Sequence, residues 1–220
     1  TTWLYIRLYH RFSLQGTENL PSEGPYVVVA NHASLLDGFI LGTCNKPVVY
    51  IMVKKEAFEN PIGGWFLRRV CAFPVDRTNP DASTLRYAIR VLQQNQVLGL
   101  FPEGTRNRKG LVRPFKPGAI RLALKFKCPI VPAFLANTKQ ITPDGCLFPR
   151  PVPLAMKFGE PLDARKLLAE GMIEEEMLVI LYKRVCDLGQ ELTGTDVRDF
   201  SPELGSSVTT PSPVPRNTPD

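Results

Sequence analysis

Apolar residues along the chain follow two alternating patterns. Short runs that are hydrophobic at nearly every position, Tyr26 to Ala30 (YVVVA), Val48 to Val53, Val97 to Phe101, Ile130 to Leu135 and Leu154 to Phe158, have the length and β-branched content of buried strands. A further short strand is expected around Phe73 to Val75, at the end of the segment that begins at Phe66. Between these runs the spacing becomes helical. Ser34 to Thr43 reads as a helix with Ser34 as its N-cap. Ser83 to Gln94 is amphipathic, with Leu85, Ala88, Ile89 and Leu92 on one face. Gly118 to Phe126 is another helix, and Glu174 to Leu192 is a long closing one. Strand–helix alternation of this kind predicts an α/β layered domain whose largely parallel central sheet is flanked by helices.

The ends of the chain differ from this body. Residues 2–12 (TWLYIRLYHRF) mix aromatic and aliphatic positions with Arg7 and Arg11. Such a segment suits the headgroup region of a membrane, and it equally suits an N-terminal helix packed on the domain. Residues 201–220 are rich in Ser, Thr and Pro, the composition of a disordered tail. The expected organisation is an N-terminal amphipathic, membrane-contacting segment over 1–20, a folded domain over 21–195 and a tail over 196–220.

Composition narrows the class. With 220 residues and 44% hydrophobic content, one domain can bury a proper core. Five scattered cysteines without a C-x-x-C pair predict reduced, mostly buried thiols, with neither a disulfide framework nor a zinc site. No apolar run reaches the roughly 18 residues that span a bilayer. The chain opens Thr-Thr-Trp rather than with Met, as a fragment would, and a native N-terminal anchor upstream stays open.

The net charge of +6 is unevenly placed: residues 61–130 carry thirteen Lys or Arg against Asp76, Asp81 and Glu103. This stretch suits a phosphorylated substrate or an anionic membrane, and a solvated basic face would look the same. It lacks the helix-turn-helix, zinc or aromatic-interleaved signatures of nucleic-acid binding, so no nucleic-acid partner is expected.

Candidate chemistry begins with the two histidines. His10, with no acidic residue nearby in sequence, reads as a surface or interfacial group. His32 directly follows the first buried run, within Asn31-His32-Ala33-Ser34-Leu35-Leu36-Asp37, where α/β sheets place ligand-binding groups. On one continuous helix, His32 and Asp37 would point about 140° apart. With His32 in the loop before a helix and Asp37 in its first turn, the ring can fold onto the carboxylate. That contact would fix the tautomer and leave the other ring nitrogen free to take a proton. A histidine that only satisfies the strand–helix turn fits the same spacing.

A second strand end carries Phe101-Pro102-Glu103-Gly104-Thr105-Arg106. Gly104 permits close backbone approach, and Arg106 is a planar donor suited to phosphate. Arg108, Lys109, Arg113 and Lys116 reinforce the positive field. Glu103 could orient Arg106 or bond an acceptor hydroxyl, and a tight turn with a structural Glu–Arg pair is the competing reading. Lys54 and Lys55 follow the second strand, and Arg77 lies in Phe73-Pro74-Val75-Asp76-Arg77. In Ile130-Val131-Pro132-Ala133-Phe134, which has no titratable group, strand termination and an apolar wall are expected.

In this order NHASLLD (31–37), FPVDR (73–77), FPEGTR (101–106) and IVPAF (130–134) resemble the four sequence blocks of the glycerolipid acyltransferases, most closely the 1-acylglycerol-3-phosphate acyltransferases. The likeness spans roughly residues 20–165, and Asn107 stands where Ser is common. The resemblance implies that His32 and Asp37 form the catalytic pair, that Glu103, Gly104, Thr105 and Arg106 bind the acceptor, and that Lys54 and Arg77 contact its phosphate. It implies direct acyl transfer from acyl-CoA or acyl-carrier protein to the sn-2 hydroxyl of a lysophospholipid acceptor, giving phosphatidic acid, with no metal or organic cofactor. Backbone N–H groups after His32, or at Gly104, are the expected oxyanion donors. The segment from Trp3 to Phe12 and the basic middle third, acting together, predict a peripheral or monotopic enzyme on the cytoplasmic face of a membrane. Glycerol 3-phosphate, or another lysophospholipid or lyso-aminolipid, is the alternative acceptor, and a non-catalytic lipid-binding module the alternative class.

Overall fold

The computed structural model describes residues 2–43, 47–69, 72–75, 82–141 and 149–199. Its strands are β1 (Ser13–Gln15), β2 (Tyr26–Ala30), β3 (Val49–Lys54), β4 (Ala72–Val75), β5 (Val97–Leu100), β6 (Ile130–Ala136) and β7 (Ala155–Phe158). They form one seven-stranded sheet in the order β1-β7-β6-β2-β5-β3-β4. The helices are α1 (Thr2–Tyr9), α2 (Asp37–Thr43), α3 (Pro61–Arg69), α4 (Ala82–Gln93), α5 (Gly118–Phe126), α6 (Ala164–Ala169) and α7 (Glu174–Thr193). The α/β layered fold with a largely parallel sheet is thus as expected.

β2 sits between β5 and β6 and is parallel to both. Its five residues are all buried because each face meets a different apolar layer. Val27 and Val29 join the core made with Ala88, Val91 and Leu92 of α4, Ile120 of α5 and Met177, Leu181 and Val185 of α7. Val28 and Ala30 join the opposite core with Ile6 of α1 and Ile40 and Leu41 of α2. Burial on both faces is what makes the run uniformly apolar.

Several expectations change. β7 runs antiparallel to β6, and β1 pairs parallel with β7, so this edge is reversed. β1 and α6 carry no strong sequence signal, being short; α6 is held by Asp163, whose Oδ1 accepts from the amides of Arg165 and Lys166. Leu85 is exposed and the buried face of α4 uses Val91 in its place. Pro132 does not end its strand, which continues to Ala136. Its carbonyl accepts from Gly159 N, just past the last residue of β7. Its own nitrogen faces the same neighbour and has no hydrogen to return, so the two strands are joined here by that single bond.

The N-terminal segment is divided. Ser13–Gln15 belongs to the sheet, and α1 lays Ile6 on the core while Leu4, Tyr5, Leu8 and Tyr9 stay exposed. His10 is not a surface group. It is 2% exposed, its Nδ1 accepts from Val152 N at 3.4 Å, and Tyr5 and Tyr9 meet its ring edge-on. Burial lowers its pKa. The disordered tail expected over 196–220 does not hold for its first residues: Val197 and Asp199 are buried, and 200–220 lies outside the described residues. Cys128 and Cys186 are free and buried, and burial pushes both thiols up to about 11. Cys44, Cys71 and Cys146 fall outside the described residues.

Candidate active site

Because β2 and β5 are adjacent and parallel, the segments leaving their carboxyl ends meet at one edge of the sheet. Asn31 makes the exit from β2 rigid. Its Nδ2 donates to Leu135 O at 3.1 Å and its Oδ1 accepts from Leu135 N at 2.8 Å. A side-chain amide thereby extends the β2–β6 pairing by one step, a role the sequence analysis did not assign.

His32 follows, buried to 7% exposure, with Nδ1 2.9 Å from Asp37 Oδ2. The same oxygen accepts from the amides of Ala33 at 2.6 Å and Ser34 at 2.7 Å. These bonds wrap residues 33–36 around the carboxylate and delay the helix, so α2 starts at Asp37 itself. Ser34 is therefore not its cap; the Ser34 Oγ accepts from Leu36 N at 3.3 Å. The spatial convergence of His32 and Asp37 across a loop is as the spacing required. Since an ionised carboxylate can only accept, Nδ1 carries the hydrogen and Nε2 presents a lone pair. The ring of Phe101 stacks on the imidazole with centroids 4.3 Å apart, fixing the plane of the ring.

Asp37 is fully buried and lopsided in its bonding. Oδ2 takes three donors, while Oδ1 has no partner among the described residues. Two of the expected oxyanion donors, the amides of Ala33 and Ser34, are consumed in this way. The Gly104 amide is consumed too, by Phe101 O at 3.1 Å.

The loop after β5 clamps His32 from the other side. Glu103 Oε1 accepts from the His32 amide at 2.7 Å and Oε2 from the Arg113 amide at 3.1 Å. The His32 carbonyl accepts from the Asn107 amide at 2.7 Å. Both backbone groups of the histidine are thus held by residues more than 70 positions away, beginning with the separation of 71 to Glu103. Glu103 is buried, so it neither orients Arg106 nor presents its carboxylate outward. Burial pushes its pKa up to about 7, against the two backbone N–H groups that favour the ionised form. Asn107 is buried as well, its Nδ2 donating to Asp199 Oδ2 at 2.8 Å; its side chain is structural and does not face an acceptor.

The outward-facing part of the loop is cationic. Gly104 has φ 76, and a Cβ there would lie 3.0 Å from Lys116 Nζ. The left-handed turn and the ammonium packed over it both call for glycine. Arg106 is half-buried and makes no hydrogen bond or ion pair among the described residues. Thr105 Oγ1 accepts from Arg113 Nη1 at 3.2 Å. Lys54 ends β3, with its side chain outside the described portion, and Arg77 also lies outside the described residues. Among the described residues, no cluster of three or more His, Cys, Asp or Glu could hold a metal ion. The assembled group can do two things chemically: accept a proton at Nε2 of His32, and hold an anion at Arg106 and Lys116 on the loop whose Asn107 amide bonds the His32 carbonyl.

Comparisons with known proteins point to one family. The family model described as Acyltransferase matches residues 11–136. A 1-acyl-sn-glycerol-3-phosphate acyltransferase of Bacillus subtilis is 39% identical over 117 residues, covering 53% of this chain and 58% of that protein. The Streptococcus pneumoniae protein of the same name is 35% identical over 162 residues, covering 71% of this chain and 58% of that one. The chain thus spans little more than half the length of these relatives. Among solved structures, the 1-acyl-sn-glycerophosphate acyltransferase PlsC of Thermotoga maritima superposes with a TM-score of 0.63 at 27% identity, covering 84% of this chain and 73% of that one. The family match covers the histidine loop, the cationic loop and the first six strands of the sheet through Ala136, and this chain belongs to the acyltransferase family.

Proposed function

We propose that the protein transfers a fatty acyl group from a thioester donor, acyl-CoA or acyl-carrier protein, to the sn-2 hydroxyl of 1-acylglycerol 3-phosphate. The observation that carries this reading is the His32–Asp37 contact, which leaves Nε2 of the ring as a base, while Arg106, without a hydrogen bond or ion pair among the described residues, directly precedes Asn107, whose amide bonds the His32 carbonyl. His32 removes the hydroxyl proton as that oxygen attacks the thioester carbonyl; the C–S bond breaks, and the proton passes to the departing thiolate. Asp37 stabilises the imidazolium that forms in between. Arg106 and Lys116 hold the acceptor's phosphate. No covalent acyl-enzyme is needed: Ser34 Oγ is buried and occupied by Leu36 N, and the Cys128 and Cys186 thiols are buried with raised pKa. The chemistry is complete without a metal or organic cofactor.

The protein works at a membrane surface in this reading. Leu4, Leu8 and Leu35 are exposed, Leu8 at 69% and Leu35 at 72%, and Leu35 lies three residues after His32. Arg7 and Arg11 stand on the same N-terminal segment, where each cation near an anionic leaflet contributes on the order of 1 kcal/mol. No helix among the described residues is long and apolar enough to cross a bilayer.

The test is transfer of labelled acyl groups by purified protein to lysophosphatidate, glycerol 3-phosphate and lysophospholipids with larger headgroups, each with both donors. His32→Ala should lower the lysophosphatidate rate by about 10²–10⁴-fold while the protein stays folded. Substantial activity in a folded His32→Ala protein refutes the assignment of the base, and preference for another acceptor replaces the substrate.

A further inference from the structure

The segment that follows α7 reaches back to the cationic loop, outside the residues 11–136 that the family model matches. Val197 O accepts from Val112 N at 2.7 Å, and Asp199 N donates to Val112 O at 3.0 Å. Residue 198 thereby forms a parallel bridge with Val112. The Val112 carbonyl also accepts from Tyr182 Oη of α7 at 3.2 Å. This short clasp delivers a carboxylate, Asp199, that is only 7% exposed. Its Oδ2 accepts from Asn107 Nδ2 at 2.8 Å and lies 3.7 Å from Arg113 Nε.

Each of these two partners leads to the site. Asn107 holds the His32 carbonyl through its own amide and closes its loop by accepting Lys109 N at Oδ1, 3.0 Å. Arg113 holds the Thr105 hydroxyl at 3.2 Å, and its amide is held by Glu103. Thr105 and Arg106 lie between these anchors. One buried carboxylate therefore ties down both neighbours of Arg106, Asn107 directly and Thr105 through Arg113.

We propose that Asp199 is a positioning residue for the acceptor: acting through Asn107 and Arg113, it sets the turn at 104–106 so that Arg106 meets the acceptor's phosphate. This rests on the function proposed above and deepens it. Asp199 bonds the side chain of Asn107, whereas the His32 carbonyl is held by the Asn107 main-chain amide, and Asp37, Glu103 and the Phe101 ring support His32 without touching Asp199. With Glu103 and the main chain of 103–107 kept, loss of the Asp199 carboxylate therefore acts first on phosphate binding, with the smaller effect on proton transfer.

The experiment compares wild type with Asp199→Ala and Asp199→Asn in steady-state transfer, varying acceptor and donor separately, at a temperature where melting curves show each protein folded. Asp199→Ala should raise the KM for lysophosphatidate about tenfold, with kcat within about threefold and the donor KM unchanged. Asp199→Asn retains an acceptor oxygen for Asn107 and loses the charge facing Arg113, so its acceptor KM should fall between the two. With monoacylglycerol, which has no phosphate, wild type and variants should share the same slow rate. An unchanged lysophosphatidate KM, or an equal loss with monoacylglycerol, overturns the proposal. Should Asp199→Ala fail to fold, Asp199→Asn alone decides by the same readouts. Absence of transfer by wild type to any phosphate-bearing acceptor would instead defeat the functional reading itself.

Discussion

The lopsided bonding of Asp37 separates two roles that a single carboxylate plays here, and substitution can pull them apart. In Asp37→Asn the amide oxygen can occupy the position of Oδ2 and still accept from Nδ1 of His32 and the amides of Ala33 and Ser34. Its NH2 group then takes the place of Oδ1, which is already without a partner among the described residues. The count of unsatisfied buried groups stays the same, and so does the tautomer of the ring. What disappears is the negative charge facing the imidazolium formed during proton transfer. At an effective dielectric of about 20 and a charge separation of about 4 Å, that interaction is worth about 4 kcal/mol. Partial solvent access to the site lowers the figure, so the expected loss in kcat is about 10²–10³-fold, at roughly 1.4 kcal/mol per decade. Stability should move by less than about 1 kcal/mol, a few degrees in Tm for a domain of this size. Asp37→Ala, by contrast, strands the buried donors of His32 and Ser34 at about 1–3 kcal/mol each, and the partly buried Ala33 amide with them, and should melt far earlier. Transfer assays with lysophosphatidate, paired with thermal melts of both variants, test the two halves together. An Asn variant within threefold of wild-type kcat would refute the electrostatic role, and an Ala variant as stable as the Asn one would refute the structural role.

Two further outcomes follow from the cationic loop. Arg106→Ala should raise the acceptor KM by about 10–100-fold, the worth of a charged hydrogen bond of about 1.5–3 kcal/mol, and Arg106→Lys should recover part of it; equal losses with monoacylglycerol would show that Arg106 does not meet the phosphate. For Glu103, the folded protein binds a proton up to about pH 7 that the unfolded chain releases near its ordinary value of 4.5. This group therefore destabilises the fold progressively as pH rises through that window, by on the order of 3 kcal/mol at most. Chemical denaturation across the window should give a wild-type stability that declines relative to Glu103→Gln as pH increases; a constant difference between the two would remove the titration from Glu103.

The unbroken apolar runs gave away the central strands because β2, β5 and β6 are covered on both faces, and their periodicity left little choice of element. Strand direction was not legible: nothing in Ala155–Phe158 distinguishes an antiparallel neighbour of β6 from a parallel one. β1, with three residues on a sheet edge, buries too little to leave a pattern. Leu85 satisfied helical spacing, yet the stripe that meets the core is set by the angle at which α4 crosses the sheet. His32 and Asp37 could be paired from sequence because their contact is local. Glu103 could not be assigned, since whether a carboxylate at a strand end faces outward or gathers backbone amides depends on Arg113 and on His32, 71 residues away. The buried amides of Asn31 and Asn107 fall in the same category. Each satisfies a partner distant in the chain, and the sequence marks neither.

Glu103 and Asn107 grip the histidine's main chain at its nitrogen and its oxygen, and this has a consequence for redesign. On the function proposed above, headgroup preference would not be a detachable cassette: transplanting residues 103–107 from a relative would shift the base along with the anion cradle. A successful graft must carry the turn at 31–37 and the isolated bridge at Val112 with it, and a chimera exchanging the loop alone should lose turnover on every acceptor, old and new.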